Sequence, residues 1–450
     1  MKVLIAGAGL GGLCLAQGLA RAGIETVVLE RRPRAGEQPA TYGIHLNTDG
    51  MHALRACLSD KAWRQLVQTS ALAPDKIRFH DQHLRTLAVR DNEAHGVLDE
   101  DLRRRAVARD SLREALLTGL PADAVKWETP VARYTETPDG VAAESTDGRV
   151  FTGDLLVAAD GSNSRLRGLR LPGLERQELD IVNVSGRVTL TEDLLAYLPA
   201  TLTDGSVNNV VPAGPGWMFL STWRAPAAGR YLVWAWAEAL KSYPTDPSSM
   251  DQDALLGHVA GRTAHWAPAL HRLVTITKAQ TVAAIPLRTM PGLEPWQASR
   301  VTLLGDAIHN MTPMAGIGAN TALRDAEELC RALTGEGPLT ARVARYESAM
   351  RDYANQALAL STRNARGAAV TTRLPRTAFR TVLRLAQTVP AVRRRIFPPA
   401  RMPTRRREGS TPPGNGPSRE TVRTRQPVAG AGGRIATASQ EWPSAPGPAS

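Results

Sequence analysis

Cysteine is scarce in this sequence, and its scarcity argues against a fold held together by disulfide bonds or by a cysteine-rich metal site. Only Cys14, Cys57 and Cys330 occur, an odd number at wide spacing. A disulfide framework or a cysteine-rich metal site needs cysteines at short, regular intervals. We therefore expect three reduced core thiols, no metal site and a cytoplasmic location.

Long hydrophobic runs are also missing. The sequence has no stretch of about 18 consecutive apolar residues, so we expect no membrane-spanning helix. The first residues carry no cleavage-site pattern, and we expect no secretory signal. An apolar fraction of 43% over 450 residues still suffices for a sizeable core, and this length predicts roughly two or three domains.

Positive charge is in excess, but it is unevenly distributed. The net charge is +12, and residues 391–450 contain eleven arginines against three glutamates, which leaves +4 for the first 390 residues. A basic tail is poor evidence that the folded body binds nucleic acid. We expect small-molecule partners and no nucleic acid.

The first thirty residues combine a strand, a glycine-rich turn and a helix. One apolar run, Lys2 to Ala6, precedes the turn, and a second, Thr26 to Leu29, ends at an acidic residue. This order is the βαβ dinucleotide fingerprint, in which glycines allow close backbone approach and the helix N-terminus offers N–H groups to phosphate. The residues that carry it are Gly7, Gly9, Leu10, Gly11, Gly12 and Glu30. A plain strand–turn–helix is the alternative, and the motif does not distinguish FAD from NAD(P).

Two arginines near these elements have two interpretations each. Arg31 either flanks an adenosine or lies in a solvated loop, and Arg109 either reaches a ligand phosphate or lies on the surface. Asp110, which follows Arg109, is the predicted N-cap of a helix. The segment from Thr41 to Asn47, which lies between Arg31 and Arg109 in the sequence, is predicted to be extended.

Another apolar strand, later in the chain, ends in an acidic turn. The run Asp154 to Ala159 leads directly into Asp160-Gly161. Ligands of α/β proteins bind at the carboxyl ends of parallel strands. Asp160 and Gly161 are therefore candidate ligand contacts, although a simple turn explains them equally well.

A further apolar strand, Arg300 to Leu304, ends in Gly305-Asp306. The Asp306 carboxylate can accept hydrogen bonds from a polyol. The following loop, Pro313 to Asn320, contains Gly316 and Gly318, and it can present N–H groups to a ring that gains negative charge on reduction.

The middle of the chain changes character. Residues 175–290 show several alternating strands, including Thr275 to Pro286, and predict an antiparallel sheet that can roof a pocket. Trp234 and Trp236 share one face of a strand because they are two residues apart. They either line an aromatic pocket or pack in the core, and core packing is favoured.

The C-terminal part is basic. Within residues 371–399, Arg373, Arg376, Arg380 and Arg384 share one face of a predicted amphipathic helix. This helix either touches an anionic membrane or, the favoured interpretation, docks on the body with its arginines solvated. Residues 400–450 lack hydrophobic periodicity and are predicted to be disordered.

Together, the Gly7–Gly12 motif, Asp160-Gly161 and Gly305-Asp306 resemble the class A FAD-dependent monooxygenases, the aromatic hydroxylases and epoxidases related to p-hydroxybenzoate hydroxylase. The resemblance covers about residues 1–370. It implies an α/β fold: a Rossmann-type FAD-binding domain (1–174, returning at 291–370), an inserted antiparallel-sheet substrate domain (175–290) and C-terminal helices.

The resemblance also implies roles for individual residues. Gly7, Gly9 and Gly12 would hold the pyrophosphate of tightly but non-covalently bound FAD. The other implied contacts are Glu30 to the ribose, Arg109 near the FAD chain, Asp160 and Gly161 to FAD and NAD(P)H, Asp306 to the ribityl chain, and Pro313, Gly316, Gly318 and Asn320 around the isoalloxazine. His309 matches a common family histidine, for which orienting the loop is favoured over a proton-transfer role.

The implied chemistry is hydroxylation or epoxidation. NADPH or NADH would reduce the flavin, and O2 would give a C4a-hydroperoxyflavin that transfers one oxygen atom to an electron-rich carbon of an aromatic or polycyclic substrate. A flavin oxidase, reductase or halogenase of the same fold is the alternative, and a non-catalytic FAD-fold binding protein is a weaker one.

Overall fold

The structure is a computed structural model that describes residues 1–34, 43–91, 100–225 and 229–397. The predicted disorder of residues 400–450 falls outside these ranges, as do the first two residues of the extended segment at Thr41 to Asn47. Residues 1–400 group into one compact unit. The domain limits at 174, 290 and 370 therefore stay predictions.

The strands of the described residues are numbered along the chain. Strands β1 to β18 are Lys2–Ala6, Glu25–Leu29, Gly43–Leu46, Ser70–Leu72, Lys76–His80, Thr86–Asp91, Arg105–Ala108, Val125–Lys126, Val131–Glu136, Val141–Ser145, Val150–Gly153, Leu155–Ala158, Gln177–Thr189, Val207–Val210, Trp217–Ala225, Gly229–Ala239, Ala283–Thr289 and Val301–Leu303.

The helices are numbered in the same way. Helices α1 to α14 are Leu10–Arg21, Thr48–Cys57, Asp60–Thr69, Arg109–Leu117, Arg165–Arg170, Glu192–Tyr197, Ala200–Thr203, Gln252–Thr263, Pro268–Thr275, Asp306–His309, Gly318–Thr334, Leu339–Ala369, Arg373–Thr388 and Pro390–Ile396. A short 3-10 helix, Pro313–Ala315, precedes α11.

A five-stranded parallel sheet carries the three strand ends singled out in the sequence. Its order is β18-β12-β1-β2-β8. All four residues of β12 are buried, as the apolar run predicts, and each fully buried Leu or Val contributes roughly 1.5–3 kcal/mol. Because β1, β12 and β18 are neighbours in parallel, their carboxyl ends meet at one edge of the sheet.

A seven-stranded sheet forms the second layer, with the order β17-β13-β16-β15-β14-β5-β6. Strands β5 and β6 form an antiparallel hairpin. It joins this sheet by parallel pairing of β5 with β14, so strands from residues 76–91 complete a sheet otherwise built from residues 177–289. Together with the parallel sheet and the C-terminal helices, this arrangement confirms the predicted fold class.

Two local predictions were wrong. The segment Thr275 to Pro286 was predicted as one strand, but Thr275 ends α9 and β17 begins only at Ala283. Asp110 is not an N-cap: α4 begins at Arg109 and its N-cap is Ala108, whose side chain caps nothing. Asp110 instead lies in the first turn, where the positive end of the helix dipole still stabilises a carboxylate.

The three cysteines are distant in sequence but meet in the core between α1, α2 and α11. A Cβ atom placed on Gly18 would lie 3.0 Å from Sγ of Cys330 and 3.1 Å from Sγ of Cys57. All three thiols are free. Burial, with a smaller contribution from Cys57, raises the pKa of Cys330 to about 12, so the Cys330 thiol stays protonated.

The basic helix α13 docks on the body, but its arginines are not all solvated. Arg376 is 4% exposed and donates to the carbonyl oxygens of Val370 and Gly216. Arg380 pairs with Asp81 at 3.5 Å. The prediction of docking is therefore confirmed, whereas the prediction of a wholly solvated basic face was wrong, because two of its four arginines satisfy buried acceptors.

In the part of the chain that the structure describes, no helix is both long and apolar enough to cross a bilayer.

Candidate functional site

The turn after β1 leaves no room for side chains. Gly7 has φ +114°, and a Cβ there would lie 2.3 Å from the carbonyl oxygen of Ala159. A Cβ on Gly12 would lie 2.2 Å from the carbonyl oxygen of Gly7. Only glycine adopts such a conformation and such contacts without strain. These glycines bring the turn directly against the segment that contains Asp160.

The same turn is open on its other side. A Cβ on Gly9 would have no atom within 4 Å. Gly9 is the N-cap of α1, and no side chain caps this helix end. The first N–H groups of α1, those of Leu10 and Gly11, therefore point at a space that an anion can fill. The Cα of Gly11 itself packs against Leu304, so Gly11 can contribute to such a site only through its backbone.

Glu30 is tied to the turn. Its Oε2 accepts from the N–H of Ala8 at 2.6 Å, and its Oε1 accepts from the N–H of Arg32 at 2.9 Å. The residue is 9% exposed. Each carboxylate oxygen retains a second lone pair, so Glu30 can still accept from a ligand hydroxyl. The neighbouring Arg31 is exposed.

Asp160 contributes an unsatisfied oxygen next to the glycine turn. Its Oδ2 accepts from the N–H groups of Arg165 and Leu166, at 3.1 and 3.4 Å, in the first turn of α5, whose N-cap is Ser164. Its Oδ1 is buried and has no partner among the described residues. Gly161 has φ +85°, which turns the chain away. Since buried polar atoms are nearly always paired, Oδ1 marks a place for a donor from a ligand.

The turn after β18 is held by a buried carboxylate that the sequence did not single out. Asp325 Oδ2 accepts from the N–H of Gly305 at 2.8 Å and lies 2.6 Å from Nε2 of His309. Its Oδ1 accepts from the hydroxyl of Tyr353 at 2.6 Å. These bonds fix Gly305 at φ +65° and leave the carboxylate of Asp306, the first residue of α10, exposed.

His309 lies inside this network. It is completely buried. Burial alone would lower the pKa of His309, but the charge and hydrogen bond of Asp325 outweigh it and raise the pKa above its ordinary value of 6.5. The bond between His309 Nε2 and Asp325 Oδ2 holds the turn after β18, so the geometry fits the favoured role of orienting the loop.

The loop from Pro313 to Asn320 reaches α11 through a left-handed residue, Gly316 at φ +64°. Pro313 and Gly316 are exposed. Helix α11 begins at Gly318, and no side chain caps its N-terminus. The backbone N–H groups around Gly318 are therefore available to an anionic or electron-rich ligand.

Asn320, implied to lie around the isoalloxazine, uses its side chain to hold β3 and the residue after it. Its Oδ1 accepts from the N–H of Asn47 at 3.0 Å, and its Nδ2 donates to the carbonyl oxygen of His45 at 2.9 Å. The side chain is 3% exposed. Both ends of the amide are thus engaged, and Asn320 clamps the end of β3 to the start of α11.

His45, which no sequence motif indicated, extends from β3 to the seven-stranded sheet. Its Nε2 lies 2.8 Å from Oγ of Ser221. Because Ser221 donates its own proton to the carbonyl oxygen of Ser206 at 3.0 Å, Ser221 must accept from His45. We infer that the proton is on Nε2, which leaves Nδ1 as a buried acceptor without a partner among the described residues.

The surroundings of His45 are aromatic and keep it neutral. The ring centroids of His45 and Trp223 are 4.9 Å apart, and Trp223 stacks further on Tyr231 and lies near Phe219. Burial, and to a lesser extent the charge of Arg104, lowers the pKa of His45 well below 6.5.

Trp234 and Trp236 lie on the opposite face of the same sheet. They are 0% and 1% exposed and pack in the core beneath α8 and α9. Trp234 donates from its indole N–H to Oγ1 of Thr277 at 2.8 Å, and Trp236 packs on Trp266. The pocket interpretation of these tryptophans was therefore wrong, because the strand turns them away from β3 and the loop at Pro313.

Arg109 is exposed at the start of α4, and β7, the strand that leads into it, pairs with β3. Among the described residues, no group of three or more His, Cys, Asp or Glu side chains is arranged to hold a metal ion.

Comparison with known proteins gives a consistent family. Residues 1–361 match the FAD binding domain family. A candidate FAD containing monooxygenase from Photorhabdus luminescens is 38% identical, with a TM-score of 0.76 over 82% of this chain and 98% of that one. HpxO of Klebsiella pneumoniae, solved with FAD and uric acid, is 25% identical, with a TM-score of 0.72 over 87% and 95% of the two chains.

A longer relative also matches. The dual O-methyltransferase/FAD-dependent monooxygenase of Cercospora beticola is 28% identical over 393 residues, which cover 79% of this chain but only 44% of that protein. The chain thus spans less than half the length of this two-function relative. Taken together, these matches show that the chain belongs to the FAD binding domain family, and the resemblance drawn from its three motifs is confirmed.

Proposed function

We propose that this protein is an FAD-dependent, NAD(P)H-consuming monooxygenase that hydroxylates or epoxidises an aromatic or polycyclic small molecule in the cytoplasm. The observation that carries the proposal is the meeting of three unsatisfied polar groups at one sheet edge. These are the uncapped N-terminus of α1, the exposed Asp306 carboxylate and the unpaired Oδ1 of Asp160.

The residues at this edge fit a long, doubly anionic cofactor. Backbone N–H groups of the Gly7–Gly12 turn would hold the pyrophosphate, with Glu30 and Arg31 beside the adenosine. Asp160, Gly161 and Arg109 would contact the central part of FAD, and Asp306 the ribityl hydroxyls. Pro313, Gly316 and Gly318 would frame the ring through exposed backbone.

When bound, FAD supplies electron transfer from NADPH or NADH to O2 and delivery of one oxygen atom to the substrate. The protein has to hold the ring and exclude water. Asn320 does the first indirectly, since its clamp on Asn47 and His45 fixes the loop. The N-terminus of α11 favours negative charge on the ring by its dipole.

The substrate would lie between this loop and the face of the seven-stranded sheet that bears Ser221 and Trp223. His45 Nδ1 is an acceptor held neutral at physiological pH, so it favours a substrate with an O–H or N–H group, such as a phenol or an imide. The aromatic side chains around it suit a flat ring. HpxO, with its bound uric acid, is a relative with this kind of ligand.

The test is product analysis. Purified protein supplied with FAD should be yellow, and NADH or NADPH should bleach it faster when the right phenol, indole or polycyclic compound is present. Mass spectrometry should then show one added oxygen atom per turnover. If the protein stays colourless after FAD is added, the proposal that it is a flavoenzyme is refuted. If NAD(P)H bleaches it and peroxide is the only product, the result favours an oxidase.

A further inference from the structure

The C-terminal helices carry charge that the rest of the protein does not. Residues 1–370 contain 40 Lys plus Arg and 40 Asp plus Glu, so the whole net charge of +12 comes from residues 371–450. The described part of this segment, residues 371–397, contains seven arginines and no acidic residue. Such a separation of charge points to a partner of negative charge.

The orientation of α13 is fixed by its inner side. Arg376 and Arg380 bond to the body as described above, and Leu383 and Ala386 are buried at 0% and 2% exposure. Phe379 packs with Trp217 of β15, an interior strand of the seven-stranded sheet. These contacts leave the opposite side of the helix facing solvent.

That opposite side is apolar at its centre. Leu374 is 85% exposed, which makes it the most exposed large apolar side chain of the described residues, and Leu385 is 45% exposed. Eleven residues are close to three helical turns, so the two leucines lie along one line. Val389, 39% exposed, continues it. Leucine side chains that stay exposed bury little apolar surface, so they contribute little to the free energy of folding.

Arginines flank the exposed apolar line. Arg373 and Arg384 each precede one of the two leucines, and Arg393, Arg394 and Arg395 of α14 follow; all five are exposed. We call this surface the outer face, made of Leu374, Leu385, Val389 and these five arginines. Its composition is that of a helix lying in a membrane interface, with apolar side chains at the centre and basic ones beside them.

We propose that the outer face of α13 and α14 binds an anionic lipid surface. Each basic residue close to such a surface strengthens binding about fivefold, and the leucines add apolar insertion. A single-stranded nucleic acid fits less well, because such strands stack on exposed aromatic rings, whereas Phe379 and Phe397 pack inward. A second copy fits less well too, because two basic faces repel each other.

The experiment is co-sedimentation of the full-length protein with vesicles. We expect binding to phosphatidylcholine mixed with phosphatidylserine, little binding to phosphatidylcholine alone, and release by high salt. Arg373→Glu with Arg384→Glu should lower the partition coefficient at least about tenfold. Leu374→Ser with Leu385→Ser should also lower it, and both variants should keep the melting temperature because the altered side chains are exposed.

A matched control comes from another helix. Lys61 and Arg64 are exposed on α3, and Lys61→Glu with Arg64→Glu adds the same charge without touching the outer face. This control should bind as the unmodified protein does. Equal loss in the control, equal binding to both vesicle types, or no binding at low salt would overturn the proposal. Tighter binding to duplex nucleic acid, or a dimer abolished by the leucine variant, would assign the face to another partner.

Discussion

The turns after β1 and β18 have the same task and are built differently. The turn after β1 is shaped by its own glycines. A Cβ atom added at Gly12 or Gly7 would lie only 2.2–2.3 Å from a backbone oxygen. The turn after β18 is shaped by Asp325, twenty residues away, which binds Gly305, His309 and Tyr353. Steric exclusion defines the first turn, whereas a buried polar network defines the second.

The largest expected effect comes from removing that network. Asp325→Ala would leave the donors of Gly305, His309 and Tyr353 unpaired in a buried site, and breaking such a site costs about 3–5 kcal/mol. We expect this loss in the free energy of unfolding measured with urea, together with weaker FAD retention.

Tyr353→Phe is the matched control for this change, because it removes a single hydrogen bond at a cost of about 1 kcal/mol. If Asp325→Ala costs no more than Tyr353→Phe, the second turn does not depend on its carboxylate.

The glycine turn can be tested with two substitutions of equal size. Gly12→Ala places a Cβ against the carbonyl oxygen of Gly7, and overpacking of this kind costs about 1–3 kcal/mol. Gly9→Ala meets nothing within 4 Å, so it should leave the melting temperature unchanged and weaken only FAD binding. Equal melting temperatures for the two variants would contradict the steric account of this turn.

The same contrast between packing and polar contacts separates the two faces of the seven-stranded sheet. Trp234→Phe removes the indole bond to Thr277 and part of a fully buried ring, so it should cost at least about 1 kcal/mol of stability without changing the KM for substrate. His45→Gln should change KM and leave stability nearly intact. A raised KM in Trp234→Phe, measured by NAD(P)H consumption, would return the tryptophans to the substrate site.

The smallest expected effect is a pair of opposing pH dependences. The raised pKa of His309 gives stability that is fully present below pH 6.5 and is lost as pH rises through the folded-state pKa. The lowered pKa of His45 acts oppositely. As pH falls below 6.5, the unfolded state takes up a proton that the buried His45 ring resists, so stability is lost.

Urea unfolding of His309→Gln and His45→Gln between about pH 5.5 and 8, the range where histidine titrates, separates the two contributions. The unfolding free energy of His309→Gln should decline less with rising pH than that of the unmodified protein. His45→Gln should lose less stability on acidification. Parallel curves for all three proteins would refute both assignments.

Local steric features could be predicted from the sequence, whereas long-range polar contacts could not. The strands β1, β12 and β18 and their glycine or Asp-Gly turns were predictable, because apolar runs and steric needs are local. Asp325 and His45 were not, because their partners lie 16 to 176 residues away and no spacing rule links them. The alternation of Trp234 and Trp236 predicted a shared face, but it did not say which layer that face meets.

Parallel pairing of β5 with β14 has a consequence for how this chain folds and how it can be divided. A fragment of residues 175–290 would lack two of the seven strands, and β14 would become an edge with unpaired N–H and C=O groups, prone to aggregation. Pairing partners some 130 residues apart also raise contact order, which slows folding. The two sheets are thus interleaved along the chain, so neither is an excisable module.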